Sequence, residues 1–97
     1  MKKQTIIEIV SELTEVPVKD IIGNSRKANI VKARHLSMHA YRWYSDLSLQ
    51  KIAALHGKEN HATVIWADTQ VSGYCKVDKS FAELTNQLIF TIKLKKQ

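Results

Sequence analysis

The chain is poor in cysteine, proline and glycine, and it contains no long apolar run. A single cysteine, Cys75, cannot form an internal disulfide, so a disulfide-stabilised secreted fold is not expected. One proline and three glycines exclude a linker or low-complexity sequence. No apolar stretch approaches the roughly 20 residues that a membrane span needs, and Glu8 and Glu12 interrupt the segment where a signal peptide would be apolar. These absences favour a cytoplasmic globular protein with no membrane partner.

Basic residues outnumber acidic residues, and they are concentrated in one section of the chain. The formal net charge is +6, which favours an acidic partner such as nucleic acid. The section between Ile21 and Tyr44 contains no acidic residue. Its basic residues are Arg26, Lys27, Lys32, Arg34 and Arg42. These side chains are therefore candidates for contacts with phosphate groups.

Apolar residues recur at three- and four-residue spacing, which is the pattern of amphipathic helices. The predicted helices span residues 2–16, 18–22, 30–47, 49–56 and 61–74, and a last one follows Asp78 towards the basic C-terminal residues 93–97. Asn29, Ser48, Asn60 and Asp78 are the expected N-caps, and Gly57 is the expected left-handed C-cap. No segment shows the two-residue alternation of a half-buried strand. The sequence predicts an all-α fold of about six helices, with residues 1–97 as a single domain.

The apolar stripe of the predicted helix 30–47 ends in Trp43 and Leu47, and its basic residues fall mostly off this stripe. Four aromatic residues stand at helical spacing beside aliphatic residues: Trp43, Tyr44, Trp66 and Tyr74. This spacing favours packing in the core or at its edge over a role in base stacking.

The helices predicted at 49–56 and 61–74 are joined by a tight turn around Gly57, which is the outline of a helix-turn-helix over about residues 48–74. Residues 57–63 read Gly-Lys-Glu-Asn-His-Ala-Thr, so polar side chains crowd the turn and the start of the second helix. A recognition helix meets base edges at this position. The candidate DNA-contacting residues of this segment are Lys58, Asn60, His61, Ala62 and Thr63.

Residues 57–67, Gly-Lys-Glu-Asn-His-Ala-Thr-Val-Ile-Trp-Ala, resemble the signature of the C-terminal domain of the bacterial replication initiator DnaA. The resemblance extends over roughly residues 5–92 and includes Lys32-Ala33-Arg34-His35 and Ser48-Leu49-Gln50-Lys51-Ile52. It implies a helical, Trp-repressor-like domain that binds a short replication-origin box in double-stranded DNA through both grooves.

The resemblance also assigns roles to individual residues. It places Arg26 in the minor groove, and Arg34 and His35 on the DNA backbone. It implies that Asn60, His61 and Ala62 contact bases in the major groove.

This sequence departs from the family pattern in three places. Asn60 replaces an acidic residue, Ala62 replaces threonine, and Lys58-Glu59 replaces Gly-Arg, so the target is not expected to be the standard initiator box. The three glycines stand apart along the chain, and nothing resembles the phosphate-binding loop of the initiator's motor domain. No nucleotide partner is therefore expected.

His35 and His39 have a spacing that can chelate zinc, but Leu36-Ser37-Met38 between them lacks the glutamate of a metalloprotease helix. No metal or other cofactor is expected. Cys75 and His61 would lie about 21 Å apart on one continuous helix, too far to act as nucleophile and base. The chain is accordingly not expected to be an enzyme.

The favoured function is sequence-specific duplex binding at the nucleoid, in replication initiation, its control, or transcription regulation. The altered residues 58–62 leave open a non-specific DNA-binding or packaging protein with the same fold. A homodimer or a protein partner also stays open.

Overall fold

A computed structural model describes residues 4–95, and these form six helices and no strand. The helices are α1 (Ile6–Thr14), α2 (Val18–Ile22), α3 (Ala28–Tyr44), α4 (Leu49–Leu55), α5 (Ala62–Val77) and α6 (Lys79–Lys95). The prediction of an all-α fold of about six helices is confirmed. None of these helices combines the length and the apolar character that crossing a bilayer requires, within residues 4–95. Helix α1 begins at Ile6, so the prediction that residues 4 and 5 are helical is wrong. Residues 2–3 of that predicted helix and residues 96–97 of the basic tail lie outside the described residues.

Helix α3 is the centre of the fold and contacts every other helix. Helix α5 runs antiparallel to it, since Lys32 of α3 pairs with Asp78 just after α5 and His39 pairs with Asp68. The core contains fully buried Leu36 and Met38 from α3, Val64 and Val71 from α5, and Leu88 from α6. Burying each of these side chains stabilises the fold by about 1.5–3 kcal/mol relative to leaving it in water. The packing of α5 on α3 therefore fixes the orientation of the second helix of the helix-turn-helix.

Side-chain caps begin several helices. Ser48 Oγ accepts a hydrogen bond from Lys51 N at 3.1 Å, and Asp78 Oδ1 accepts one from Phe81 N at 3.2 Å, so both predicted caps are confirmed. Thr5 and Glu8 form a reciprocal capping box at the start of α1, which the sequence reasoning did not identify.

Several predicted boundaries were wrong. Helix α3 begins at Ala28, so Asn29 lies within its first turn and is not its N-cap. Helix α1 ends at Thr14, because Glu15 adopts a left-handed conformation with φ of 61°. Helix α3 ends at Tyr44, three residues before its predicted end. Helix α5 continues to Val77, because packing against α3 and α6 outweighs the low helix propensity of glycine in its last turns.

Candidate nucleic-acid interface

The turn between α4 and α5 depends on Gly57. This residue has φ of 73°, a left-handed conformation that glycine adopts without steric cost. A Cβ added here would lie 2.9 Å from the carbonyl oxygen of Ile22 at the end of α2. Lys58 N donates to Ala53 O at 2.8 Å and closes the end of α4. The predicted left-handed C-cap is confirmed, and the turn is pressed against the end of α2.

The N-terminus of α5 carries exposed polar side chains above a buried anchor. Asn60 Oδ1 accepts a hydrogen bond from Ala62 N at 2.8 Å and so satisfies a backbone N–H at the start of α5. The helix begins at Ala62, one residue later than predicted, and the N-cap position is therefore His61, whose side chain forms no capping bond. Asn60, His61 and Ala62 are exposed, and Thr63 is half-buried. Val64, the next residue, is completely buried. The burial of Val64 holds the preceding residues at the surface in a fixed orientation.

The basic loop, residues 23–27 between α2 and α3, is held by Arg34. The Arg34 side chain is 6% exposed. Its Nε donates to Ile21 O at 2.8 Å, and its Nη1 and Nη2 donate at 3.0 Å to Ser25 O and Asp20 O. Burial lowers the pKa of Arg34. The expectation that Arg34 lies away from the buried face of α3 is wrong. Its charged group can be buried because three main-chain carbonyls accept its hydrogen bonds.

The basic loop and the helix-turn-helix turn are in direct contact. Lys58 Nζ donates to Asn24 Oδ1 at 2.9 Å, across the same junction where Gly57 meets Ile22. Burial, and to a smaller extent the charge of Arg34, lowers the pKa of Lys58. Arg26 and Lys27 are exposed in this loop. The structure thus brings the basic loop beside the turn that leads into α5.

Lys32 and His35 lie at the other end of α5. Lys32 Nζ is 3.9 Å from Asp78 Oδ2 and 5.2 Å from the centre of the Tyr74 ring. His35 Nδ1 lies 3.1 Å from the Tyr74 hydroxyl. Burial, followed by the charge of Arg34, lowers the pKa of His35. These two candidates are therefore grouped with the C-terminal end of α5, and their contact with DNA stays a prediction.

Arg42 belongs to a cluster around Asp68. Arg42 Nη1 donates to Asp68 Oδ2 at 3.0 Å, and Trp43 Nε1 donates to Asp68 Oδ1 at 2.8 Å. His39 Nδ1 contacts the same carboxylate at 2.5 Å. His35 and His39 therefore have different partners. Asp68 compensates the charge of Arg42, and a phosphate contact by Arg42 also stays a prediction.

His56 is a buried residue that the sequence reasoning did not identify as structural. Its Nδ1 is 2.7 Å from Ile52 O and its Nε2 is 2.8 Å from Ser37 Oγ, so Nδ1 donates and Nε2 accepts the hydroxyl proton. The ring also meets Tyr41 edge-to-face at 5.8 Å. Burial lowers the pKa of His56 and favours the neutral ring. His56 thereby fastens the end of α4 to α3.

The prediction of packing in the core or at its edge is confirmed for Tyr44 and Tyr74, which are partly buried against the core, and is wrong for the two tryptophans. Trp43 and Trp66 are each 59% exposed. On α3 the buried side ends with Ala40 and Tyr41, and on α5 it runs through Val64 and Ala67. Helical spacing assigns Trp43 to one face of α3 and Trp66 to one face of α5. Among residues 4–95, no other helix covers the part of either face that carries the tryptophan.

Comparison with known proteins identifies the relatives of this chain. Residues 3–71 match the family described as the bacterial dnaA protein helix-turn-helix. The chain is 33% identical over 91 residues to the chromosomal replication initiator protein DnaA of Gloeothece citriformis, covering 94% of this chain and 20% of that protein. The corresponding protein of Crocosphaera subtropica is 36% identical over 85 residues, covering 88% of this chain and 18% of that protein.

A third relative has a comparable identity and coverage. The initiator protein DnaA of Bacteroides thetaiotaomicron is 33% identical over 90 residues, which is 93% of this chain and 19% of that protein. The chain spans about a fifth of the length of these relatives. The resemblance first seen in residues 57–67 is confirmed. The chain belongs to the family of the bacterial DnaA helix-turn-helix domain.

Proposed function

We propose that this chain is a sequence-specific binder of double-stranded DNA that acts in replication initiation or its control, at the nucleoid. The observation that carries the proposal is the exposed N-terminus of α5, with Asn60 and His61 at its start and the basic loop in contact with the preceding turn. The relatives, which are named chromosomal replication initiator proteins, support the same biological setting. The role is binding and not catalysis.

In this proposal the start of α5 enters the major groove. The Asn60 oxygen is engaged by Ala62 N, which leaves the two amide N–H groups of the side chain to donate to a base. Adenine N7, guanine N7 and O6, and thymine O4 are acceptors in the major groove. His61 is exposed beside Asn60 and can donate or accept according to its tautomer. Ala62 leaves room for close approach, and Thr63 is placed for a phosphate.

The basic loop supplies the second contact. Arg26 is exposed next to Ser25, whose carbonyl accepts a hydrogen bond from Arg34, so the backbone position of Arg26 is set before DNA binds. An arginine in a narrow minor groove senses the width of the groove and therefore its A·T content. Lys27 and Lys58 then neutralise phosphates on either side. The contact between Asn24 and Lys58 fixes the distance between the two reading elements.

The test is a titration of labelled duplex DNA at several salt concentrations. Each phosphate neutralised contributes about 0.9 to the log–log salt slope, so four to six contacts would give a slope of about −4 to −5. Arg26→Ala should weaken binding most on sites with A·T-rich flanks and leave the melting temperature of the protein unchanged. Lys93→Ala, which removes an exposed charge near the end of α6, is the matched control. A slope near zero would contradict duplex binding. If Arg26→Ala weakened binding equally on all flanking sequences, Arg26 would be assigned to a phosphate contact.

A further inference from the structure

The outer face of α5 carries two exposed apolar side chains, Ile65 and Trp66, directly after its first turn. Ala62, Ile65, Trp66 and Thr69 are exposed and follow the spacing of a single helix face. Ile65 is 43% exposed and Trp66 is 59% exposed. The hydroxyl of Thr69 already donates to Ile65 O at 3.1 Å. None of these four side chains is charged, whereas the solvent face of a surface helix is ordinarily polar.

This face is continuous with the reading residues. Ala62 lies directly after His61 at the start of α5, and Trp66 is one helical turn further along on the same side. The opposite side of α5 is fully buried against the core through Val64 and Val71, so the helix cannot rotate to hide its outer face. A groove that receives Asn60 and His61 therefore also meets Ile65 and Trp66.

We propose that Ile65 and Trp66 read thymine methyl groups in the major groove, an inference that rests on the duplex binding proposed above. The C5-methyl of thymine is the apolar group that base pairs present in this groove, and apolar side chains contact it in direct readout. Trp66 offers a large rigid surface with few rotatable bonds, so ordering it on binding costs little entropy. The two side chains add a preference for A·T pairs beyond the positions read by Asn60 and His61.

The experiment replaces thymine by deoxyuridine in the duplex that the protein selects from a random library. This substitution removes the methyl group and leaves the base-pairing groups unchanged. Each contacted methyl should contribute about fourfold in affinity, since burying a group of this size is worth about 0.8 kcal/mol. Trp66→Gln should weaken binding to the thymine duplex and should bind thymine and uracil forms more nearly equally. Phe90→Gln is the matched control, because Phe90 is an exposed apolar residue on α6.

The outcomes separate the two proposals. If the wild-type protein binds no duplex, the proposed function fails. If it binds thymine and uracil duplexes equally, the methyl readout is overturned while duplex binding stands. A third outcome is that the free protein dimerises in sedimentation and Trp66→Gln abolishes the dimer. The exposed face of α5 would then be a dimer interface with a second copy of the chain, and the methyl readout would again be overturned. Thermal melts accompany each variant, and Trp66→Gln should melt with the wild type because its side chain is exposed.

Discussion

Replacing Arg34 by methionine separates a structural role from a DNA contact. Methionine keeps the length of the side chain but removes every hydrogen-bond donor. In the wild type three donors of the guanidinium reach the carbonyls of Asp20, Ile21 and Ser25. The variant therefore leaves the end of α2 and the basic loop without their shared anchor.

The expected loss of stability follows from these three bonds. Hydrogen bonds to a charged group contribute about 1.5–3 kcal/mol each, which would sum to roughly 5–9 kcal/mol if nothing relaxed. Two of the bonds lie only partly buried, so water can replace much of their contribution. We expect a net loss of about 2–4 kcal/mol, since removing buried polar partners produces the larger effects among point mutations. For a domain of this size that lowers the melting temperature by roughly 10–25 °C.

The assay is thermal and urea unfolding followed by circular dichroism, with duplex affinity measured in parallel below the melting temperature. Arg34→Lys keeps the charge but cannot reach three carbonyls at once, so it should recover only a part of the stability. Lys27→Met is the control, because Lys27 is an exposed cation in the same loop and its loss should affect affinity alone. An unchanged melting temperature for Arg34→Met together with weak DNA binding would refute the structural role and restore Arg34 as a backbone contact.

Gly57→Ala should destabilise the fold by about 1–3 kcal/mol because of its positive φ and the close carbonyl of Ile22, whereas Gly73→Ala in open space within α5 should stabilise it by about 0.5–1 kcal/mol. Equal melting temperatures for these two variants would contradict the geometry of the turn. Acid should also destabilise the protein: burial lowers the pKa of His56 and His35 below 6.5, so stability is complete above pH 6.5 and is lost as the pH falls through the folded pKa values. Urea titrations at pH 7.5 and 5.5 measure this loss, and His56→Gln should reduce the difference; a pH-independent midpoint in the wild type would rule it out.

The local parts of the fold were predictable from sequence. Helix periodicity reports a burial pattern within a few residues, and Ser48, Asp78 and Gly57 act on backbone groups no more than four positions away. Such short-range chemistry depends on neighbours that the sequence displays directly. The helix ends were less predictable. Glu15 ends α1 in a left-handed conformation, but it is neither glycine nor asparagine, the residues that usually indicate such an end.

The long-range parts were not predictable. Arg34 looks like a surface cation in a basic segment, and its burial depends on carbonyls of Asp20 and Ile21, which carry no side-chain signature. His56 is buried because Ser37, nineteen residues earlier, satisfies its second nitrogen. Trp66 has the spacing of a packed residue, but periodicity identifies a face without showing whether another helix covers it.

The most direct test of base reading by α5 is selection of bound sequences from a random duplex library with the wild-type protein and with Asn60→Asp. Aspartate keeps the cap on Ala62 N but only accepts hydrogen bonds, so the melting temperature should hold while one position of the selected site shifts towards cytosine, whose N4 amino group donates in the major groove. Enrichment of a defined site by the wild type, changed at one position by the variant, is the result that this account predicts. Identical selected sequences for the two proteins, or no enrichment by the wild type, would contradict it.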